Sequence, residues 1–296
     1  MNSSIRKVVA ASFPIFICLA LLSTPGAFVA GAGPQKPIIA LVPGAWHSPI
    51  HYSELITLLG ASGYQVVSKR NPSCDSINPN AQSVFSDAAS IRRELLLPPI
   101  NDGRDVILAM HSYGGCPGAT AAKGLSKAEL AARGRPGGII GLLFICAFVA
   151  KEGDSLLSVL PGKVFDPWVI SYDGTGQLGV RNPKDIFYNE VPSPLDRLAI
   201  SAIRNQSRNS LSTPSGPPAW ADSFYNGRRA YFNTLDDHSI PSVAQQGMLS
   251  GSGVAWSVKS IHSDHSPFLS HPDILSQWMV EQASVFQRIG ESTTVS

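Results

Sequence analysis

Three stretches of the chain are apolar at nearly every position, and they cover residues 38–42, 106–110 and 139–149. Runs of this kind are typical of strands that are buried on both faces, as in the centre of a parallel sheet. Between them, apolar residues recur three and four positions apart over 51–59 and 88–97, which predicts two helices.

Each of these helices is followed by a signal that ends it, Gly60 and Gly63 in the first case and Pro98-Pro99 in the second. The alternation of strand and helix returns in the last part of the chain, over 229–235, 241–249, 254–261 and 272–289. A chain that alternates in this way predicts a doubly wound, mostly parallel α/β sheet covered by helices.

Residues 151–228 interrupt this alternation. The segment is rich in Pro, Gly, Ser and Asn, and its aromatic residues are Phe165, Trp168, Tyr172, Phe187, Tyr188, Trp220, Phe224 and Tyr225. In α/β sheets, ligands bind at the carboxyl ends of the strands, which is where such an insertion would lie. We therefore predict that 151–228 is a lid over a mainly apolar pocket.

The first 32 residues have the three-part composition of a secretory signal peptide. Arg6 and Lys7 precede an apolar stretch over 8–22, and small residues follow as far as Ala32. The apolar stretch is short for a membrane span. We expect cleavage near Ala32, secretion, and one domain over 33–296; the alternative is a signal anchor that stays attached.

The charge of the chain is balanced, with 23 Lys+Arg against 21 Asp+Glu and a formal net charge of +2. Nucleic-acid binding needs clustered basic residues, and the chain has no such cluster. No apolar run after the N-terminus is long enough to span a membrane. We expect neither a nucleic-acid partner nor, once the signal is removed, a membrane partner; the oligomeric state is not predicted.

Three cysteines follow the predicted signal, Cys74, Cys116 and Cys146, so they cannot all pair with one another. Cys146 lies in an apolar run and is predicted to be a buried small side chain. Without a CxxC motif or a close Cys/His cluster, we expect no metal site and no cofactor. Asn205 begins an Asn-Gln-Ser sequon and is predicted to carry a glycan if the chain is secreted.

Ser112 is the candidate nucleophile. A predicted buried strand runs directly into it, and Gly114, Gly115 and a series of small residues follow. A nucleophile elbow needs this order, because its serine occupies a tight turn between strand and helix above the sheet. Met110 stands where the Gly-x-Ser-x-Gly pattern has its first glycine, and it would crowd the turn. The alternative interpretation is an ordinary strand–helix turn with a capping serine.

A serine nucleophile needs a base and an orienting acid, which in this kind of fold follow it in the order acid, then histidine. His265 lies between the last predicted strand and the last helix, where the histidine is expected. Its neighbours His262 and His271 are the alternatives, at a strand end and before the helix.

The acid is expected after the preceding strand. Asp237 fits best because Pro241 opens a helix four residues later, and Asp236 is the runner-up. Glu152 or Asp154 could serve if the acid lies one strand earlier, whereas Asp264, adjacent to His265, is expected to point elsewhere.

Two backbone N–H groups are predicted to form an oxyanion hole. One belongs to Tyr113, directly after the serine, and the other to Ala45 in the loop after the first strand. Trp46 and His47 in the same loop are predicted to line the pocket mouth. Both could instead be packed surface residues.

The chain resembles the α/β-hydrolase superfamily, and within it the plant methylesterase and hydroxynitrile-lyase group with its fungal relatives. The resembling segments are Val42-Pro-Gly-Ala-Trp-His47, His111-Ser-Tyr-Gly-Gly115, Cys146-Ala-Phe-Val149, Phe187-Tyr-Asn189, Asp237-x-x-x-Pro241 and Ser263-Asp-His-Ser-Pro-Phe268. The resemblance implies an α/β-hydrolase fold with a helical lid, a triad of Ser112, Asp237 and His265, and an oxyanion hole at Ala45 and Tyr113. The chain departs from the family at Pro43, commonly His, and at Met110, commonly Gly.

The implied function is hydrolysis of a carboxylic ester or lactone of a small, apolar molecule. The lyase branch typically has lysine directly after its catalytic histidine, where this chain has Ser266. Two alternatives stay open on the same scaffold: a non-hydrolytic enzyme such as a lyase or biosynthetic cyclase, and a slow or inactive ligand-binding protein.

Overall fold

The computed structural model describes residues 35–292, so the predicted signal peptide over 1–32 lies outside the described residues. The strands are β1 (Ile38–Val42), β2 (Val66–Ser68), β3 (Val106–His111), β4 (Ile139–Ile145), β5 (Val169–Tyr172), β6 (Gln177–Val180), β7 (Gln206–Ser207), β8 (Arg229–Thr234) and β9 (Ser257–Ile261). Six of these pair in parallel in the order β2-β1-β3-β4-β8-β9. The predicted doubly wound parallel sheet is therefore confirmed.

The α-helices are α1 (Ser53–Ala61), α2 (Val84–Ile91), α3 (Leu97–Asn101), α4 (Gly115–Ala122), α5 (Lys127–Ala131), α6 (Leu156–Val159), α7 (Pro183–Phe187), α8 (Leu195–Ala202), α9 (Arg208–Ser212), α10 (Ser242–Gly251), α11 (Pro267–Ser270) and α12 (Pro272–Ser292). Within residues 35–292, no helix combines the length and apolar character needed to cross a bilayer.

The central strands carry apolar side chains on both faces because each face covers a separate core. Ile39 and Leu41 of β1 pack into one core with side chains of α1 and α12. Ala40 and Val42 point the other way, into a core that includes side chains of α2 and α4. Alternate residues of a strand lie on opposite faces, so an uninterrupted apolar run is what two covered faces require.

The expectation that Pro98-Pro99 ends a helix is wrong. After α2 the chain makes a π-helical turn over Arg92–Leu96, and α3 then begins at Leu97 with both prolines in its first turn. The first residues of a helix have no intrahelical acceptor for their N–H groups, so proline loses no hydrogen bond there.

The segment between β4 and β8 contains the predicted insertion. It holds α6 to α9 and an antiparallel sheet in the order β5-β6-β7, which the sequence did not predict. Its aromatic residues divide: Phe187 and Tyr188 are buried in the core that contains Trp46, and Trp220 and Tyr225 are buried in the opposite core. The insertion therefore contributes to the body of the domain as well as covering the sheet edge.

Candidate active site

Ser112 directly follows β3 and has a φ of +52°, a left-handed conformation that non-glycine residues rarely adopt. Two close approaches hold the turn. The Phe148 N–H donates to the Ser112 carbonyl at 3.0 Å, and a Cβ on Gly115 would lie 2.2 Å from the Phe148 carbonyl oxygen. Such a strained serine between strand and helix is the geometry of a nucleophile elbow.

Met110 does not crowd the elbow, contrary to the expectation from sequence. The side chain is fully buried and lies against α4, where a Cβ on Gly118 would be 2.7 Å from its Cγ and Sδ atoms. Gly118 therefore leaves the space that the Met110 side chain needs.

His265 and Asp237 complete a continuous series of hydrogen bonds with Ser112. The Ser112 Oγ lies 2.9 Å from His265 Nε2, and His265 Nδ1 lies 2.8 Å from Asp237 Oδ2. All three residues are buried, with Ser112 retaining 8% exposure. The carboxylate accepts from Nδ1, so Nε2 is left as the acceptor for the serine hydroxyl.

The Asp237 carboxylate is fixed by four further donors. The backbone N–H groups of Ser239 and Ile240 donate to Oδ1 at 2.8 and 2.7 Å. The Thr234 hydroxyl and the Gln245 amide donate to Oδ2 at 2.9 and 3.2 Å. A buried carboxylate with all its lone pairs engaged has a fixed orientation, which in turn orients the imidazole.

The alternative acids lie elsewhere. Asp236 binds the exposed His262 at 2.8 Å, on the surface. Asp264 accepts from the Ser266 and Glu190 N–H groups and from Ser270.

The remaining alternatives do not join the series either. His271 faces Glu190 at 3.2 Å. Glu152 is exposed, and Asp154 accepts a hydrogen bond from the Lys151 N–H at 3.3 Å.

His111 is a buried residue of the site that sequence reasoning did not single out. Its Nε2 donates to the His265 carbonyl at 2.9 Å, and its Nδ1 accepts from the Tyr52 hydroxyl at 2.8 Å. Burial, then the neighbouring His265, lowers the pKa of His111 well below its usual range. The neutral ring therefore connects the strand before the serine to the backbone of the histidine loop.

Among the described residues, His111, His265 and Cys146 bring potential metal-ligand atoms within 4.8 Å of one another. Both nitrogens of each imidazole already have hydrogen-bond partners. A cation could bind only by displacing these partners, so the residues fit the hydrogen-bonded series better than a metal centre. Cys74, Cys116 and Cys146 are all buried and free of disulfides.

The loop after β1 brings Ala45 beside the serine. A Cβ on Gly44 would lie 2.9 Å from the Ser112 Cβ, so the close approach requires glycine. The N–H groups of the residues before and after Ala45 both donate hydrogen bonds. The Gly44 N–H donates to the Tyr52 hydroxyl at 3.1 Å, and the Trp46 N–H donates to the Gln206 side chain at 3.2 Å. Within residues 35–292, no acceptor is found for the Ala45 N–H.

A small cavity of about 20 Å³ adjoins Ser112. Its wall is mainly apolar and consists of Ala45, Trp46, Ser112, Phe148, Leu156, Leu160, Phe165, Asp166, Trp168, Val169, Leu211 and Ser239. Trp46 stands in this wall, as predicted for the pocket mouth, whereas His47 does not. The His47 ring is buried behind it, between the Ala45 carbonyl at 2.7 Å and the Tyr188 hydroxyl at 2.9 Å.

Asn205 lies on the insertion, where its side-chain amide donates to Gln177 Oε1 at 2.8 Å. The rest of the sequon is inside the protein: Gln206 and Ser207 are buried in β7. A glycan would be attached to the same nitrogen that donates to Gln177 and would leave it one N–H for this hydrogen bond.

A buried acid, Asp87, ties the residue after the serine to the insertion. The Tyr113 hydroxyl donates to Asp87 Oδ2 at 2.7 Å, and the N–H and hydroxyl of Ser73 donate to the same carboxylate at 2.9 and 2.5 Å. The Gln206 amide donates to the Ser73 hydroxyl at 2.6 Å. Burial raises the pKa of Asp87 to about 6 in spite of these donors, which lower it.

The raised pKa of Asp87 predicts a pH-dependent stability. The folded protein binds a proton at Asp87 more tightly than the unfolded chain, so its contribution is fully present below about pH 4 and is lost as the pH rises to about 6. We expect the free energy of unfolding of the wild type, measured in urea and compared with that of Asp87→Asn, to fall by up to about 3 kcal/mol over this range. Above it the difference should level off. Parallel pH profiles for the two proteins would contradict this.

Comparisons with known proteins agree with this fold. A model of the alpha/beta hydrolase family matches residues 39–278. The alpha/beta hydrolase nvfD of Aspergillus novofumigatus (strain IBT 16806) is 29% identical over 243 residues, which cover 81% of this chain and 94% of that protein.

Solved structures share the fold. A methylesterase from Arabidopsis superposes with a TM-score of 0.61 at 19% identity, covering 83% of this chain and 99% of its own. A pyrethroid hydrolase from Sphingobium faniae JZ-2 gives a TM-score of 0.63 at 19% identity, covering 84% and 97%. The predicted resemblance to plant methylesterases and fungal hydrolases is thus confirmed, and the chain belongs to the alpha/beta hydrolase family.

Proposed function

We propose that the protein is a serine hydrolase that cleaves a carboxylic ester or lactone of a small, apolar molecule. One observation carries the proposal: the hydrogen-bonded series from Ser112 through His265 to Asp237 opens on a mainly apolar cavity. The names of relatives, a methylesterase and a pyrethroid hydrolase, support ester substrates.

In the acylation half-reaction, Ser112 Oγ attacks the ester carbonyl carbon while His265 Nε2 takes the hydroxyl proton. Asp237 holds the imidazole in the tautomer that accepts this proton and stabilises its charge. The carbonyl oxygen becomes an oxyanion and accepts hydrogen bonds from the Ala45 and Tyr113 N–H groups. The tetrahedral intermediate then expels the alcohol, which takes its proton from His265.

The second half-reaction reverses these roles with water. His265 removes a proton from a water molecule that attacks the acyl carbon bound to Ser112, and the same two N–H groups stabilise the new oxyanion. Collapse of the intermediate releases the acid and returns the proton to Ser112. No step needs a metal or an organic cofactor.

Isotope incorporation tests this proposal against the non-hydrolytic and binding-only alternatives. The purified chain is incubated with p-nitrophenyl acetate in water enriched in ¹⁸O, and the acid is analysed by mass spectrometry. We expect turnover, one ¹⁸O atom in the released acetate, and labelling of Ser112 by a fluorophosphonate probe. Stoichiometric binding of esters without product release, across a panel of esters and lactones, would overturn the proposal.

A further inference from the structure

A second space adjoins the cavity at Ser112. It is an open groove of about 530 Å³ that runs along α10, and it shares four wall residues with the inner cavity: Phe148, Leu160, Asp166 and Ser239. The groove begins only a few residues after Asp237, at Ile240 and Pro241. The two spaces therefore lie next to each other and share part of their walls.

The groove wall is apolar although it faces solvent. Val243 is 78% exposed and Val159 is 39% exposed, and Met248 and Leu160 lie in the same wall. Exposed apolar side chains grouped beside a ligand cavity mark a binding surface, because leaving them in water has a cost that a ligand removes.

Charge restricts the occupant. The charged residues in the groove wall are Lys151, Asp154 and Asp166, and in the part of the chain that the structure describes no cation pairs with Asp166. Asp166 stands where the groove joins the inner cavity, so an anionic group on the ligand would face a carboxylate there.

We propose that the α10 groove binds the larger, uncharged apolar half of the ester substrate, while the inner cavity holds the half nearest Ser112. The inference rests on the proposed function and names its substrate class: an ester whose larger half is a long or bulky hydrocarbon without an anionic group. The inner cavity, at about 20 Å³, has room for only a small group, whereas the groove, at about 530 Å³, has room for a much larger one.

Gly247→Trp tests the groove with little risk to the fold. Gly247 is exposed on α10 and lines the groove, and a Cβ added to it would meet no atom within 4 Å. Gly60→Trp is the matched control, because Gly60 is equally exposed and open but lies at the end of α1, outside the groove.

KM is measured for p-nitrophenyl acetate, p-nitrophenyl decanoate and decyl acetate. We expect Gly247→Trp to raise KM for a decyl or decanoyl ester about tenfold, and at least threefold more than it raises KM for the smaller p-nitrophenyl acetate. Gly60→Trp should change neither. Two results would overturn the proposed role of the groove but not the proposed hydrolase function. One is an unchanged KM for both long esters in Gly247→Trp, and the other is a wild type that hydrolyses only the acetate. Failure of the wild type on every ester overturns the proposed function itself.

A second, independent observation concerns the loop that carries Ala45. Trp46 has a φ of +63°, a strained conformation for a non-glycine residue. Its N–H is held by Gln206 Oε1 at 3.2 Å, and the other end of the same amide donates to Ser73 at 2.6 Å and to Ser210 at 2.7 Å. Gln206 is fully buried and 160 positions away in the chain.

We infer that Gln206 is a positioning residue for the oxyanion hole, a role that again depends on the proposed function. It fixes the N–H that follows Ala45, and through Ser73 it connects to Asp87, which holds Tyr113. One buried network therefore orients both loops that carry the two proposed oxyanion donors. Donors that are fixed before reaction stabilise the oxyanion more than donors that must reorganise.

Gln206→Met removes the acceptor with little change in size, and Ser210→Ala removes only a different partner of the amide. With p-nitrophenyl acetate we expect kcat to fall about 30-fold in Gln206→Met at unchanged KM. Binding of a trifluoromethyl ketone, which forms a tetrahedral adduct, should weaken by a similar factor.

Near-normal kcat in Ser210→Ala supports positioning. Folded Gln206→Met with wild-type kcat and wild-type ketone affinity would overturn the inference. An inactive wild type would instead count against the hydrolase.

Discussion

Ser112→Ala is expected to lower kcat for p-nitrophenyl acetate by on the order of 10⁵- to 10⁶-fold. The substitution removes the only atom that can form the acyl-enzyme in the proposed mechanism, and no residue beside it replaces the hydroxyl. Asp237 and His265 pair at 2.8 Å without involving the serine, so we expect the pair to persist in the variant with no nucleophile to activate. Steady-state hydrolysis, with fluorophosphonate labelling read by mass spectrometry, measures the loss.

The matched control is Ser239→Ala. Ser239 lines the same cavity and contributes its backbone N–H, not its hydroxyl, to the Asp237 carboxylate. We therefore expect this variant to keep kcat within about threefold of the wild type. If Ser112→Ala still forms a covalent adduct with the probe at the wild-type rate, another residue is the nucleophile.

The main sheet could be predicted because strands that are buried on both faces are apolar at nearly every position of the sequence. The strand predicted at 38–42 coincides with β1, and that predicted at 106–110 is one residue shorter than β3. The elbow could be found because a tight turn between strand and helix needs small residues, and Gly115 lies against the Phe148 carbonyl. In both cases the structure depends on residues that are close together in the chain, so a single sequence is enough to predict it.

The parts that were missed depend on contacts between distant residues. Gln206 and Trp46 are 160 positions apart, and Asp87 meets Tyr113 across 26 positions, without a local pattern that would pair them. His47 was expected at the pocket mouth because of its place in the loop, but Tyr188 of the insertion holds it behind the wall. The conformation of the insertion decides the Gln206 contact and the position of His47, and hydrophobic periodicity says little about that conformation.

Asp237→Asn is expected to lower kcat by about 10⁴-fold while the protein stays folded. The surrounding donors determine how the new amide must lie. Its oxygen has to face the N–H groups of Ser239 and Ile240, which donate to Asp237 Oδ1 at 2.8 and 2.7 Å. The amide NH₂ then takes the place of Oδ2 and points at His265 Nδ1.

An NH₂ group at that place changes the tautomer of His265. Nδ1 must become the acceptor, so the ring proton moves to Nε2, which can then no longer accept the proton of Ser112. Asp236→Asn is the control, because Asp236 binds only the exposed His262 side chain through its carboxylate, and it should leave kcat nearly unchanged. We compare kcat for the two variants and use urea unfolding to establish that both are folded. Equal losses of kcat in both variants would remove Asp237 from the mechanism. A folded Asp237→Asn with kcat within tenfold of the wild type would do the same.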